Sequence, residues 1–234
     1  MMTNTGAGPG DEEAGKASQA QRPGHAGGMH WLTMQDDLLR SLAHALSNRV
    51  GTVMALSALL ETGTDPARIG KGLGEETERM DQLLRLLRAL SRPAEPTIEP
   101  MLLSDAMDVA VRMAAEHVTT RAIPVTWTDG DGRLPVRADP VAVAQAATVA
   151  LLTAAHRADA SGVQLQVRVA GDRVETMLVP VAQAAAPEGP DVMAEGAAAI
   201  AWLLAASGGT ALTPTTGGVG FSLPGLGAGR RAGA

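Results

Sequence analysis

Cysteine and tyrosine are absent from this 234-residue chain, and its aromatic residues amount to one Phe and three Trp. The missing cysteine excludes disulfides and thiolate metal sites and suits a cytoplasmic protein. So few aromatic faces leave no base-stacking platform, and a net charge of -6 leaves no basic surface to track phosphates, so nucleic acid is not an expected partner. No uninterrupted apolar run is long enough to span a bilayer. The N-terminus has neither the basic start nor the apolar core of a signal peptide. The expectation is a soluble protein with no membrane partner.

Aliphatic material is plentiful. Hydrophobic residues make up 45% and charged residues 19%, enough for one medium domain, or a small one followed by a larger one. Residues 1–29 are rich in Gly, Ala, Gln, Pro and charge without periodicity and read as a disordered tail, as do residues 225–234. His25 and His30 lie in or beside the first tail, and no metal role is assigned to them.

Residues 30–92 read as a helical hairpin. The first helix is expected over 35–61, with Leu39, Leu42, Leu46, Val50, Val53 and Leu60 at helical spacing. Thr62-Gly63-Thr64-Asp65-Pro66 then supplies a break, an N-cap at Asp65 and a proline at the first helical position. The second helix is expected over 66–90, with Ile69, Leu73, Met80, Leu84 and Leu87 on one face, and Pro93 and Pro96 mark a linker. Apolar faces this broad cannot be covered by one hairpin, which predicts a homodimer built as a four-helix bundle.

One residue of the first helix stands apart. His44 lies two positions from both Leu42 and Leu46, about 200° around the helix from either, so it points away from the stripe. Ser47, Asn48 and Gly51 share its face. A histidine among small and polar side chains is accessible to a second protein.

Residues 98–224 alternate between helices and strands, which predicts a two-layer α/β sandwich. Ser104 is expected to cap a helix to about residue 120, followed by a strand over 123–127, a turn at Asp129-Gly130-Asp131-Gly132 and a short strand over 135–138. A long Ala-rich helix over 140–158, a hairpin of strands over 163–169 and 173–179, a helix over 194–207 and a closing hairpin through Leu212 and 219–223 complete it. His117 and His156 fall on helices of this unit and are treated as structural or surface residues.

A histidine-bearing hairpin followed by such a sandwich resembles the transmitter core of bacterial histidine kinases. The likeness covers residues 35–224. His44-Ala45-Leu46-Ser47-Asn48-Arg49-Val50 is similar to the family's phosphoacceptor box, with Ala45 in place of the acid and Arg49 in place of the proline. Arg137-Ala138-Asp139-Pro140 resembles the segment entering the nucleotide-binding helix, and Ala206-Ser207-Gly208-Gly209-Thr210 with Gly217-Gly218-Val219-Gly220-Phe221-Ser222-Leu223-Pro224 resembles the closing strands. The implied fold class is α+β: a dimeric four-helix bundle followed by a sandwich of the kinase ATPase type.

The nucleotide chemistry is missing from the resemblance. Ala154 stands where the family places an Asn ligand for Mg²⁺, which needs oxygen donors. Val179-Pro180-Val181-Ala182-Gln183-Ala184 replaces the adenine-binding Asp-x-Gly-x-Gly, and Ala194-Glu195-Gly196-Ala197-Ala198-Ala199-Ile200 replaces the Gly-rich phosphate loop. The pattern is similar to degenerate relatives that act as dimeric histidine phosphotransferases without ATP. The resemblance then implies His44 as phosphoacceptor, Asn48 as an orienting residue, and Arg40, Ser47, Arg49, Gly51 and Ala55 as the face that meets a response-regulator receiver domain. The chain needs no cofactor of its own, since Mg²⁺ comes with the receiver. The alternative reading is a non-enzymatic dimeric adaptor for receivers or a kinase, which Ala45 and Arg49 favour.

Overall fold

A computed structural model describes residues 23–62, 65–91, 95–128, 133–183, 191–213 and 217–226. Two long helices, α1 (Pro23–Glu61) and α2 (Pro66–Leu90), form an antiparallel hairpin. Asp65 caps α2 as the sequence predicts, its Oδ1 accepting from Ala67 N at 3.0 Å, with Pro66 opening the helix. After the hairpin come β1 (Glu99–Leu102), α3 (Leu103–Glu116), β2 (Val125–Trp127), β3 (Pro135–Ala138) and α4 (Pro140–Arg157). Then follow β4 (Val163–Ala170), β5 (Arg173–Pro180), α5 (Val192–Leu204), β6 (Thr210–Leu212) and β7 (Val219–Pro224).

The main sheet runs β2-β4-β5-β7-β6, antiparallel except for the parallel pair β2 and β4. Helices α3, α4 and α5 pack side by side, and the inward residues of the strands, Val163, Leu165, Leu178 and Phe221, are wholly buried. The two-layer α/β sandwich is therefore present. A short second sheet pairs β1 with β3. β1 was not expected, because Glu99 and Pro100 break any apolar alternation.

Several boundaries differ from expectation. Helix α1 begins at Pro23 rather than near residue 35, so residues 23–29 of the expected tail are helical. Low propensity at Gly27 and Gly28 is overridden by packing. A Cβ on Gly27 would overlap the backbone of Ala198 in α5, and one on Gly28 would sit 3.2 Å from the Trp202 ring. Trp31 beside them is 2% exposed. Ser104 does not cap α3. The N-cap is Leu102, without a side-chain bond, and the helix ends at Glu116. At the other end, Gly225 N and Leu226 N donate to Asp172 O and Pro135 O, so these two residues are held in the fold. Residues 1–22, the turn at 129–132, the hairpin tip at 63–64 and residues 227–234 lie outside the described residues.

The apolar stripes also resolve differently. On α1 the buried large apolar residues are Trp31, Leu38 and Leu42, while Leu39, Val50 and Leu60 are 39%, 42% and 43% exposed. On α2 the buried set is Ile69, Glu76, Leu83, Leu86 and Leu90, with Leu84 40% exposed. Each helix thus carries two apolar faces, one packed within the chain and one uncovered. The helical period alone merges them.

Hairpin and sandwich share a single core, which runs from Trp31, Leu38 and Leu90 through Val149 and Leu165 to Phe221. Polar ties reinforce the junction. Gln35 Nε2 donates to Leu90 O at 2.8 Å, and Gln145 Nε2 donates to Ala89 O at 2.9 Å. The end of α2 is thereby clamped between α1 and α4.

Candidate functional site

His44 is exposed near the middle of α1, on the face opposite the packed stripe. Asn48, one turn later, places its amide Nδ2 3.3 Å from His44 Nε2. An amide NH₂ group only donates. The contact is therefore a hydrogen bond when the His44 ring proton is on Nδ1. Around the pair the surface is low. Ser47 turns its hydroxyl back onto Ala43 O at 2.9 Å, a Cβ added at Gly51 would meet nothing within 4 Å, and Ala55 is exposed. Among the described residues nothing on this face crowds the imidazole.

The two arginines near His44 behave differently from each other. Arg40 is exposed and held by its own helix, with NH2 2.6 Å from Asp36 Oδ2 and NH1 2.9 Å from Asp37 Oδ1. Arg49 leaves the His44 face and turns into the hairpin, 3.5 Å from Glu76 Oε2. The Glu76 carboxylate is nearly buried and also meets Arg79. Two guanidiniums flanking one carboxylate are what a buried charge requires. Position 45 belongs to the packed side of α1, where Ala45 is half-buried against the core. A carboxylate there would lose hydration.

Ala154 and Gly196, in two of the segments aligned with nucleotide motifs, are packed inside the fold. Ala154 is wholly buried. A Cβ on Gly196 would overlap the Thr153 side chain, so α5 lies directly against α4. Residues 194–200 are part of helix α5, not a loop. The first amides of α5 are taken by its own cap, since Asp191 Oδ1 accepts from Met193 N and Ala194 N at 3.2 Å. A helix N-terminus capped by a carboxylate does not attract a phosphate. Val181, Ala182 and Gln183 follow β5, and Ala184 lies outside the described residues.

Two more histidines sit where α1 meets the sandwich. His30 Nδ1 is 3.3 Å from Glu195 Oε2 of α5, and its Nε2 is buried without a partner among the described residues. Burial lowers the His30 pKa from its ordinary value, and the Glu195 charge opposes the shift. His117, at the end of α3, bonds Thr119 Oγ1 through Nδ1 at 2.9 Å. Burial lowers its pKa too, against the charge of Asp37 on α1. His117, Asp37, Thr119 and His156 rim a cleft of about 350 Å³ between α1 and the sandwich, with Met34, Ile123 and Leu152 on its walls. Sequence reasoning did not find this cleft. Its lining comes from separate elements, and no local pattern announces it. Among the described residues no cluster of His, Cys, Asp or Glu could hold a metal ion, and no helix is long and apolar enough to cross a membrane.

No family model and no curated protein matches the sequence. Among solved structures the chain is similar to full-length ShkA in complex with AMPPNP, at 18% identity and a TM-score of 0.43 over 81% of this chain and 45% of that one. It thus spans less than half of the ShkA chain. It is also similar to a bacterial phosphotransferase, at 15% identity and a TM-score of 0.40 over 82% of this chain and 95% of that one. A histidine kinase from Burkholderia phymatum STM815 matches at 12% identity and a TM-score of 0.45, over 81% of this chain and 98% of that one.

Proposed function

We propose that this chain is a histidine-kinase-like phosphotransferase of two-component signalling that works as a cytoplasmic homodimer and relays phosphate between receiver aspartates through His44, without ATP. The reading is supported by the pairing of an exposed His44 beside Asn48 with close packing at Ala154 and Gly196. In the forward step, His44 Nε2 attacks the phosphorus of a receiver's aspartyl phosphate in line. The N–P bond forms as the P–O bond breaks, and the bonding pair leaves with the donor carboxylate. The Nδ1 proton passes to water so that the ring of the phosphoramidate is neutral, and a proton returns when the phosphoryl group moves to a second aspartate. Mg²⁺ comes from the receiver's acidic pocket. Asn48 holds the reactive tautomer, and Arg40 exchanges its hold on Asp36 and Asp37 for the incoming phosphate. Ser47, Gly51 and Ala55 keep the approach clear.

The dimer is supported by the uncovered faces of the hairpin. Leu39, Val50, Met54 and Leu60 of α1 and Leu84 of α2 are exposed, an apolar extent that a second hairpin would cover as a four-helix bundle.

Two observations favour a second reading, a dimeric adaptor that binds receivers or a kinase without accepting phosphate. Position 45 carries no acid, and Arg49 is committed to Glu76. Incubation with phosphorylated receivers separates the two. The relay gives an acid-labile, base-stable label on the chain, whereas the adaptor gives a complex and no label. Millimolar ATP with Mg²⁺ tests the absence of nucleotide binding. The melting temperature should stay unchanged, and a saturable rise would contradict the reading.

A further inference from the structure

Helix α2 repeats its apolar residues every seven positions, and one position of the repeat is charged. Ile69, Glu76, Leu83 and Leu90 fall on one line and are all buried, Glu76 to 5% exposure. Leu73, Met80 and Leu87 fall on a second line beside it and are half-buried. A seven-residue repeat returns to within about 20° of the same face of a helix, so the two lines form one seam. Glu76 is its single polar member.

Arg49 is the matching residue of α1. Leu42 and Leu56 lie seven residues either side of it and share its face. Leu42 is buried, and Leu56 reaches α2, where a Cβ on Gly72 would lie 3.3 Å from its Cδ1. Glu76 Oε2 is 3.5 Å from Arg49 Nη1 across the hairpin, and Oε1 meets Arg79 on α2 itself. Arg79 moves with α2 whatever its placement. Among the described residues, only Arg49 ties the Glu76 carboxylate to α1.

Apolar contacts alone do not choose how α2 sits on α1. Slid by one heptad, about 10 Å, the seam still sets apolar residues against apolar residues. Turned by one residue, about 100°, it replaces Leu83 with Leu84, which is 40% exposed in the observed packing. The ion network opposes both. After the slide the Glu76 carboxylate would face Leu42 or Leu56, and after the turn Thr77 would face Arg49 and leave that half-buried guanidinium unpaired. An unpaired charge in an apolar seam is costly. Replacing a buried ion network by apolar residues often costs no stability, and the best attested use of such a network is to set register.

We infer that Glu76 is the register key of the hairpin. With Arg49 it fixes the sliding and rotation of α2 on α1, and so decides that Leu83 packs inside the chain while Leu84 stays on the uncovered face. The role holds whether or not His44 accepts phosphate.

The chain contains no cysteine, so spin labels on Thr52→Cys in α1 and Glu78→Cys in α2, both exposed, report the hairpin alone. The doubly labelled full chain is mixed with excess unlabelled chain, so that only distances within one chain are read. This parent pair should give one distance. Arg49→Leu and Glu76→Leu should each give two or more with helical content retained, displaced by about 8 Å for a one-residue turn of a helix about 5–6 Å in radius. Arg79→Leu should keep the single parent distance, since Arg49 still holds Glu76. A single parent distance in either Arg49→Leu or Glu76→Leu would overturn the inference. So would several distances in the parent chain or in Arg79→Leu. Should Glu76→Leu fail to fold, the two arginine variants decide by the same readings.

Discussion

Asn48 Nδ2 lies 3.3 Å from His44 Nε2, one helical turn away on an open face of α1. The contact favours the Nδ1–H tautomer of the imidazole. Asn48→Ala should lower the rate of His44 labelling by about 2- to 10-fold, the worth of one ordinary hydrogen bond. Asn48→Asp, which can only accept, should favour the opposite tautomer and be slower still. Initial rates of label incorporation check both.

The exposed Leu84 and Val50 call for a second copy. Light scattering at micromolar concentration should return twice the chain mass of 23.9 kDa. Leu84→Asp should return the single mass with the helical content retained, because the side chain is not part of the packed core. A wild-type monomer would contradict the dimer.

Acidification should loosen the junction between α1 and the sandwich. The folded pKa values of His30 and His117 are lowered from 6.5 by burial, so the unfolded chain binds more protons in that window. Stability is then full above the unfolded value and falls as pH drops through 6.5 toward the folded values. The urea midpoint should be lower at pH 5.5 than at pH 7.5, and His30→Gln with His117→Gln should flatten the difference.

Much of this architecture is legible in the sequence, and what is not has a physical cause. The exposure of His44 follows from its phase against Leu42 and Leu46, a local relation that tertiary packing did not alter. Asp65 caps α2 because a cap is a matter of a few consecutive residues. The N-terminal extension of α1 was hidden, since Gly27 and Gly28 read as breakers until α5 is present to pack against them. The second apolar face was hidden for another reason. Leu39 and Leu42 both satisfy the helical period, and only the positions of α2 and α5 separate the buried one from the exposed one. The cleft could not be seen at all, because Asp37, His117 and His156 meet only in the folded chain.

Glycine positions give opposite expectations on one helix. Gly27→Leu should destabilise the fold by about 1–3 kcal/mol, because the side chain collides with the backbone of α5. Gly51→Ala, in open space, should stabilise by about 0.5–1 kcal/mol through helix propensity. It should also slow labelling by a receiver, because it raises the docking face. Denaturant midpoints and labelling rates report the two effects separately.

The proposed relay depends on the chemistry of His44. The direct measurement is transfer of label from phosphorylated receivers to the wild-type chain and to His44→Ala. The wild-type chain should acquire an acid-labile, base-stable label. His44→Ala should acquire none while its unfolding free energy stays within about 0.5 kcal/mol, as for a surface site. Label that persists in His44→Ala would contradict the account and direct attention to His117 and His156.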